Sequence, residues 1–165
     1  MRYNSEKEMY PDVALWLTRY LKHKYPKSSI KAYDTSRENL SDFLKRHSLC
    51  KYFSEAETYV IKVDITGVIK HKDKCFLAFV ECKLKPISLK DISQLIGYSK
   101  VVLPVFSIIV SPAGISPPVN KLFNLFRRYD VLTYNGNKKV RVASWDKMTC
   151  DIETATLLPH GEHLL

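Results

Sequence analysis

No apolar run in this chain reaches the roughly 20 residues needed to span a bilayer. The longest, Val101 to Val110, is interrupted by Pro104 and reads as a buried strand with its lead-in. The N-terminus, MRYNSEKEMYP, lacks the apolar core of a secretory signal, so an intracellular, cytoplasmic location is expected and a membrane partner is not. The four cysteines, Cys50, Cys75, Cys82 and Cys150, form no CxxC pair and no metal-ligand spacing. They read as reduced, mostly buried thiols rather than a disulfide framework or an iron–sulfur cluster. There are no internal repeats and no low-complexity segments. A chain of 165 residues with ordinary apolar and charged fractions is expected to form one domain, residues 1–165, around one core.

What the chain has is positive charge. Its 26 Lys and Arg against 17 Asp and Glu give a net charge of +9. The basic residues are spread along the sequence, which suits a basic surface rather than a tail. A polyanionic partner follows, with nucleic acid first.

The most informative stretch runs from Tyr59 to Lys85. It reads as two strands, Tyr59 to Lys70 and Cys75 to Lys85, joined by the polar turn His71-Lys72-Asp73-Lys74. Strand alternation puts Leu77, Phe79, Glu81 and Lys83 on one face and Phe76, Ala78, Val80 and Cys82 on the other. An acid and a lysine therefore project together from the end of an apolar strand. Asp64, partway along the partner strand, can face them. Cross-strand neighbours have Cβ atoms roughly 5 Å apart, close enough for Asp64 and Glu81 to share a hard divalent cation such as Mg²⁺ (or Mn²⁺). The backbone carbonyl of Cys82 would add an oxygen. Lys83 can orient a water or neutralise charge developing on a phosphoryl oxygen. The bland alternative is a salt bridge among three strand-end residues.

Residues 5 to 24 read as a helix, with Ser5 and Glu8 as a capping box and Met9, Tyr10, Val13, Leu17, Tyr20 and Leu21 as its apolar stripe. Glu6 falls on the axis of that stripe, so it is a carboxylate at the head of a buried face. Taken alone, a favourable interaction with the helix dipole explains it better. A short strand, Ser28 to Asp34, and a second helix, Ser36 to His47, follow. After the hairpin, Ser88 caps a third helix running to about Val102, on which Gln94 and Tyr98 share a face. Val105 to Val110 reads as a strand buried on both faces, completing a βαβ crossover. Pro118 to Arg128 reads as a fourth helix carrying Leu122, Phe123, Leu125 and Phe126. Asn135-Gly136 marks a hairpin between Val131–Tyr134 and Lys138–Trp145. Leu157 to Leu165 reads as a loose end, where His160 and His163 carry no clear metal signal.

Glu6 on the first helix, Asp64 on one strand, Glu81-x-Lys83 on the next and Gln94-x-x-x-Tyr98 on the following helix together resemble the PD-(D/E)xK nuclease superfamily. The opening SEKEMYPDVALWL is also similar to the first helix of small restriction-endonuclease-like domains. The likeness covers residues 5 to 110. Val63 stands where the superfamily's name has proline, and Cys82 fills the variable middle position. The resemblance implies an α/β fold of the restriction-endonuclease-like kind: a central mixed β-sheet flanked by α-helices, with the site at one edge. It also implies a Mg²⁺-dependent nuclease acting on DNA. Asp64 and Glu81 would be metal ligands, Lys83 the catalytic lysine and Glu6 the helix acid completing the metal site. Gln94 and Tyr98 would support the site or touch substrate. Relatives are often dimers or domains of larger machines, so a homodimer is expected. Two other readings stay open: a catalytically silent nucleic-acid-binding module of the same fold, and a hydrolase of RNA or nucleotides.

Overall fold

The computed structural model describes residues 2–161. Its centre is a six-stranded mixed sheet in the order β1-β2-β3-β4-β7-β8. The helix α1, Glu6–Lys24, leads into β1, Ser29–Asp34. A short helix α2, Leu40–Arg46, and an irregular segment precede the hairpin β2, Ile65–His71, and β3, Lys74–Cys82. Then come α3, Leu89–Val102, and β4, Phe106–Ser111. The helix α4, Pro117–Asn120, runs into a π-helical turn, Lys121–Leu125. A small two-stranded sheet, β5, Thr133–Asn135, with β6, Lys138–Lys139, leads to β7, Arg141–Asp146, and β8, Asp151–Ile152.

Chemistry explains the alternation of directions. The β1–β2 and β2–β3 pairs are antiparallel, the second closed by a two-residue turn at Lys72 and Asp73. The β3–β4 and β4–β7 pairs are parallel, as crossovers through helices require. All six residues of β4 are buried, as its unbroken apolar run demands. The strand carrying Glu81 is therefore central, flanked by β2 and β4.

Two cores cover the two faces. Leu77 and Phe79 join one with Phe43, Leu44, Ile92 and Leu95; Ala78, Val80 and Cys82 join the other with Met9, Val13, Leu17 and Leu21. The alternation expected for β3 holds through its length. Helix α1 approaches the sheet closely at Gly67, where a Cβ would lie 2.7 Å from Leu21 Cδ1.

Several expected elements differ. Residues Tyr59 to Asp64 are not strand: β2 begins at Ile65, because 59–64 pair with α2 and the end of β1 rather than with β3. The cap of α1 also differs. Ser5 makes no side-chain cap bond, and Glu8 instead accepts the Asn4 amide at 2.9 Å. The expected fourth helix breaks early into its π turn and ends, leaving Leu125 and Phe126 about two-thirds exposed. The tail is not loose as far as it is described. Leu157 and Leu158 are buried, and Leu158 exchanges backbone bonds with Val142. His160 meets Asn124 Oδ1 at 2.7 Å; His163 lies outside the described residues. Cys75 and Cys82 are buried, Cys150 is half-buried and Cys50 is exposed. No described helix is long and apolar enough to cross a membrane.

Candidate functional site

The β2–β3 register pairs Ile65 with Val80, so the next positions outward are Asp64 and Glu81. Asp64 stands just ahead of the strand rather than within it. Its backbone is stapled from β1's end: the Thr35 amide donates to Asp64 O at 2.9 Å, and Thr35 Oγ1 bonds Val63 O at 2.6 Å and Thr66 Oγ1 at 2.8 Å. These hydroxyls are buried and satisfied by one another, which fixes the turn that presents Asp64.

Both Asp64 carboxylate oxygens are held. Oδ1 accepts the Tyr10 hydroxyl at 2.9 Å, and Oδ2 accepts the Cys82 amide at 2.8 Å. The Cys82 side chain points away, into the core beneath α1. Burial raises the Asp64 pKa, and the Cys82 amide, the Tyr10 hydroxyl and the Lys83 charge offset only part of that. Burial and the facing Asp64 raise the Tyr10 hydroxyl far above its usual value, so it stays a proton donor.

Glu81 is only 7 % exposed. Its Oε1 accepts Lys83 Nζ at 3.0 Å, while Oε2 is buried with no hydrogen-bond partner. Burial first, then the Asp64 charge, push Glu81 up to about 7, with Lys83 pulling the other way. Burial alone would lower the Lys83 ammonium, but the charges of Glu81, Glu6 and Asp64 outweigh it and raise the group. Lys83 is a cation throughout the neutral range. An orphaned buried carboxylate oxygen is costly.

Lys83 opens into a cavity of about 600 Å³ that Glu6 lines from the head of α1, with Lys85, Ser88 and Asp91 on the far side. Asp64 and Glu81 do not line it. Glu6 is half-buried, close enough for its charge to raise Asp64 and Lys83. Ser88 and Asp91 form the expected cap of α3: Asp91 N donates to Ser88 Oγ at 3.2 Å and Ser88 N to Asp91 Oδ2 at 2.9 Å.

The structure thus brings Asp64, Glu81 and Lys83 together, with Glu6 beside them. Gln94 and Tyr98 are brought to each other, Gln94 Nε2 donating to the Tyr98 hydroxyl at 3.0 Å, and bond none of the three. Gln94 is exposed, and Tyr98 packs partly onto the core under α3. Tyr10 was not legible as a site residue, since its place in the apolar stripe accounts for it fully. No signal in the sequence separates its hydroxyl from that of Tyr20.

Among the described residues no group of three or more His, Cys, Asp and Glu side chains is arranged to hold a metal ion. The residues nevertheless fit a hard divalent cation. Glu81 Oε2 has no hydrogen-bond partner and Glu81 faces Asp64 across the strand ends, so two carboxylates with one free oxygen donor are in place for such a cation. Mg²⁺ commonly takes one or two carboxylates and keeps several waters. The comparisons with known proteins are silent: no family model, no curated protein and no solved structure matches this chain.

Proposed function

We propose that this chain is a divalent-metal-dependent nuclease of restriction-endonuclease-like fold, hydrolysing phosphodiester bonds in nucleic acid, with DNA the first candidate. The observation that carries the reading is Glu81: a buried carboxylate, one oxygen on Lys83 and the other unsatisfied, facing Asp64 at the ends of adjacent strands. Three ionisable groups converging on a core edge cost stability, which makes the cluster a candidate reactive site. The excess of positive charge suits a phosphate-backbone substrate.

Asp64, Glu81 and the Cys82 carbonyl would hold the cation, with Glu6 reaching it through water. Bound there, Mg²⁺ or Mn²⁺ supplies Lewis acidity toward a phosphoryl oxygen and lowers the pKa of water. The protein's own groups do the positioning. The Tyr10 and Cys82 donors fix the Asp64 carboxylate plane. Lys83, anchored on Glu81, carries a lasting positive charge at the cavity floor, where it orients water and offsets charge growing on the phosphate. Gln94 and Tyr98, hydrogen-bonded on the outer face of α3, would meet the substrate rather than the metal.

The test is incubation of the purified protein with plasmid and with single-stranded DNA in Mg²⁺ or Mn²⁺. Cleavage that EDTA abolishes is expected. Binding without cleavage in either metal would favour a silent binding module of the same fold instead.

A further inference from the structure

A second groove, about 590 Å³, runs on from the cavity at Lys83 and shares Leu84, Lys85 and Pro86 with it. It follows the edge where the parallel strands β3, β4 and β7 end, since Cys82 pairs with Val110 and Ser111 with Ser144. Its far wall is the N-terminus laid against the β7–β8 turn.

That wall is rigid. Trp145 Nε1 donates to the Tyr3 hydroxyl at 3.1 Å, and Tyr3 donates to Asp12 at 2.8 Å. Lys147 lies over the Tyr3 ring, 4.2 Å from its centroid, and donates to Arg2 O at 3.0 Å. The groove carries three cations, Arg2, Lys85 and Lys147, against two acids, Asp146 and Glu153. Asp146 is already occupied, accepting the Met148 amide at 2.8 Å and the Thr149 hydroxyl at 2.9 Å. None of the three cations belongs to an ion pair among the described residues. The rim adds apolar surface: Met148 is 80 % exposed beside Pro86 and Pro112.

Cations free of ion pairs along a concave, partly apolar track suit an extended strand, whose phosphates meet the charges while its bases rest on Met148, Pro86 and Pro112, since Tyr3 and Trp145 are buried and offer no stacking face. A duplex keeps its base faces stacked inside and presents phosphates on a convex cylinder, so it can use the charges but not the rim. We propose that this groove seats a single-stranded segment of nucleic acid flanking the scissile phosphate, making a single strand, or a duplex with a single-stranded extension, the substrate class. This rests on the nuclease reading above.

The test is fluorescence anisotropy in EDTA, with a labelled single strand and a blunt duplex of the same sequence. The single strand should bind more tightly. The double variant Arg2→Glu/Lys85→Glu changes two exposed residues, so its urea midpoint should stay close to that of the wild type. It should weaken single-strand binding roughly tenfold and reduce the salt slope by about 1.4. Lys138→Glu reverses one charge where the double variant reverses two, on β6, which precedes β7 and so lies at the opposite end of the parallel strands. It should cost less than about twofold. Tighter duplex binding, an unmoved double variant, or an equal loss in Lys138→Glu would each overturn the groove. Because binding is read without metal, failure of the wild type to cleave DNA in Mg²⁺ would count against the nuclease reading alone.

Discussion

The Tyr10 hydroxyl donates to Asp64 Oδ1 at 2.9 Å, tying the second turn of α1 to the residue that precedes β2. A first-helix tyrosine thereby sets the orientation of a strand-end acid. Tyr10→Phe keeps the ring in the core and removes only this donor. It should cost about 1 to 3 kcal/mol in urea unfolding, the range for a hydrogen bond to a charged acceptor. In the nuclease reading it should also raise the Mg²⁺ concentration needed for half-maximal cleavage. A variant with wild-type stability and wild-type metal dependence would show that Asp64 is held by the Cys82 amide alone.

How much of this was legible in the sequence differs from residue to residue. Strand alternation alone puts Glu81 and Lys83 on one face, because a period of two leaves no freedom once the apolar run is recognised. Asp64 faces Glu81, but not as a strand residue: it does so by extension of the hairpin register, and the chain before Ile65 is not strand. The cap of α1 misled because Glu8 at N3 can reach Ser5 or Asn4, and only the local path of the chain decides. The fourth helix expected through Leu125 and Phe126 gives way to the π turn, and both side chains are left exposed. The Tyr10 bond and the basic groove join segments far apart in the chain, and no local pattern reports such contacts.

Glu81 makes the stability of the metal-free protein depend on pH. Its pKa rises from 4.5 to about 7 on folding, chiefly through burial. Between those values the unfolded chain has released the proton and the folded chain has kept it. Stability from this group is therefore full at low pH and falls as pH rises toward 7, by on the order of 2 to 3 kcal/mol. Asp64, also raised by burial, acts in the same direction. Urea midpoints measured in EDTA between about pH 5 and pH 8 should fall with pH, and Glu81→Gln should flatten the decline. In Mg²⁺ the wild-type decline should shrink, because a cation at the acids replaces the lost proton. A midpoint rising over that range would contradict the assignment.

Gly67 is where α1 meets the sheet. A methyl group there would lie 2.7 Å from Leu21 Cδ1, 3.1 Å from Leu17 Cδ2 and 3.3 Å from Ala78 Cβ. All three partners are fully buried, so the two leucine ends can give way only by repacking against the core around them. Gly67→Ala should cost about 1 to 3 kcal/mol through overpacking. Because the same helix carries Tyr10 and Glu6, DNA cleavage should fall along with stability. Thermal unfolding compared with Gly97→Ala, a position where a Cβ meets nothing within 4 Å, separates steric crowding from the general effect of adding a methyl group.

The central claim is that Asp64 and Lys83 act on a phosphodiester. The most direct measurement is the single-turnover cleavage rate of a labelled oligonucleotide in saturating Mn²⁺, for the wild type, Asp64→Asn and Lys83→Gln. Asp64→Asn preserves shape and Lys83→Gln keeps a shorter polar side chain; both remove charge. Each should lower the rate by at least about 100-fold, the cost of losing one preorganised charged group at a reacting centre, while DNA affinity stays within a few-fold. Cleavage at the wild-type rate in either variant would contradict the account.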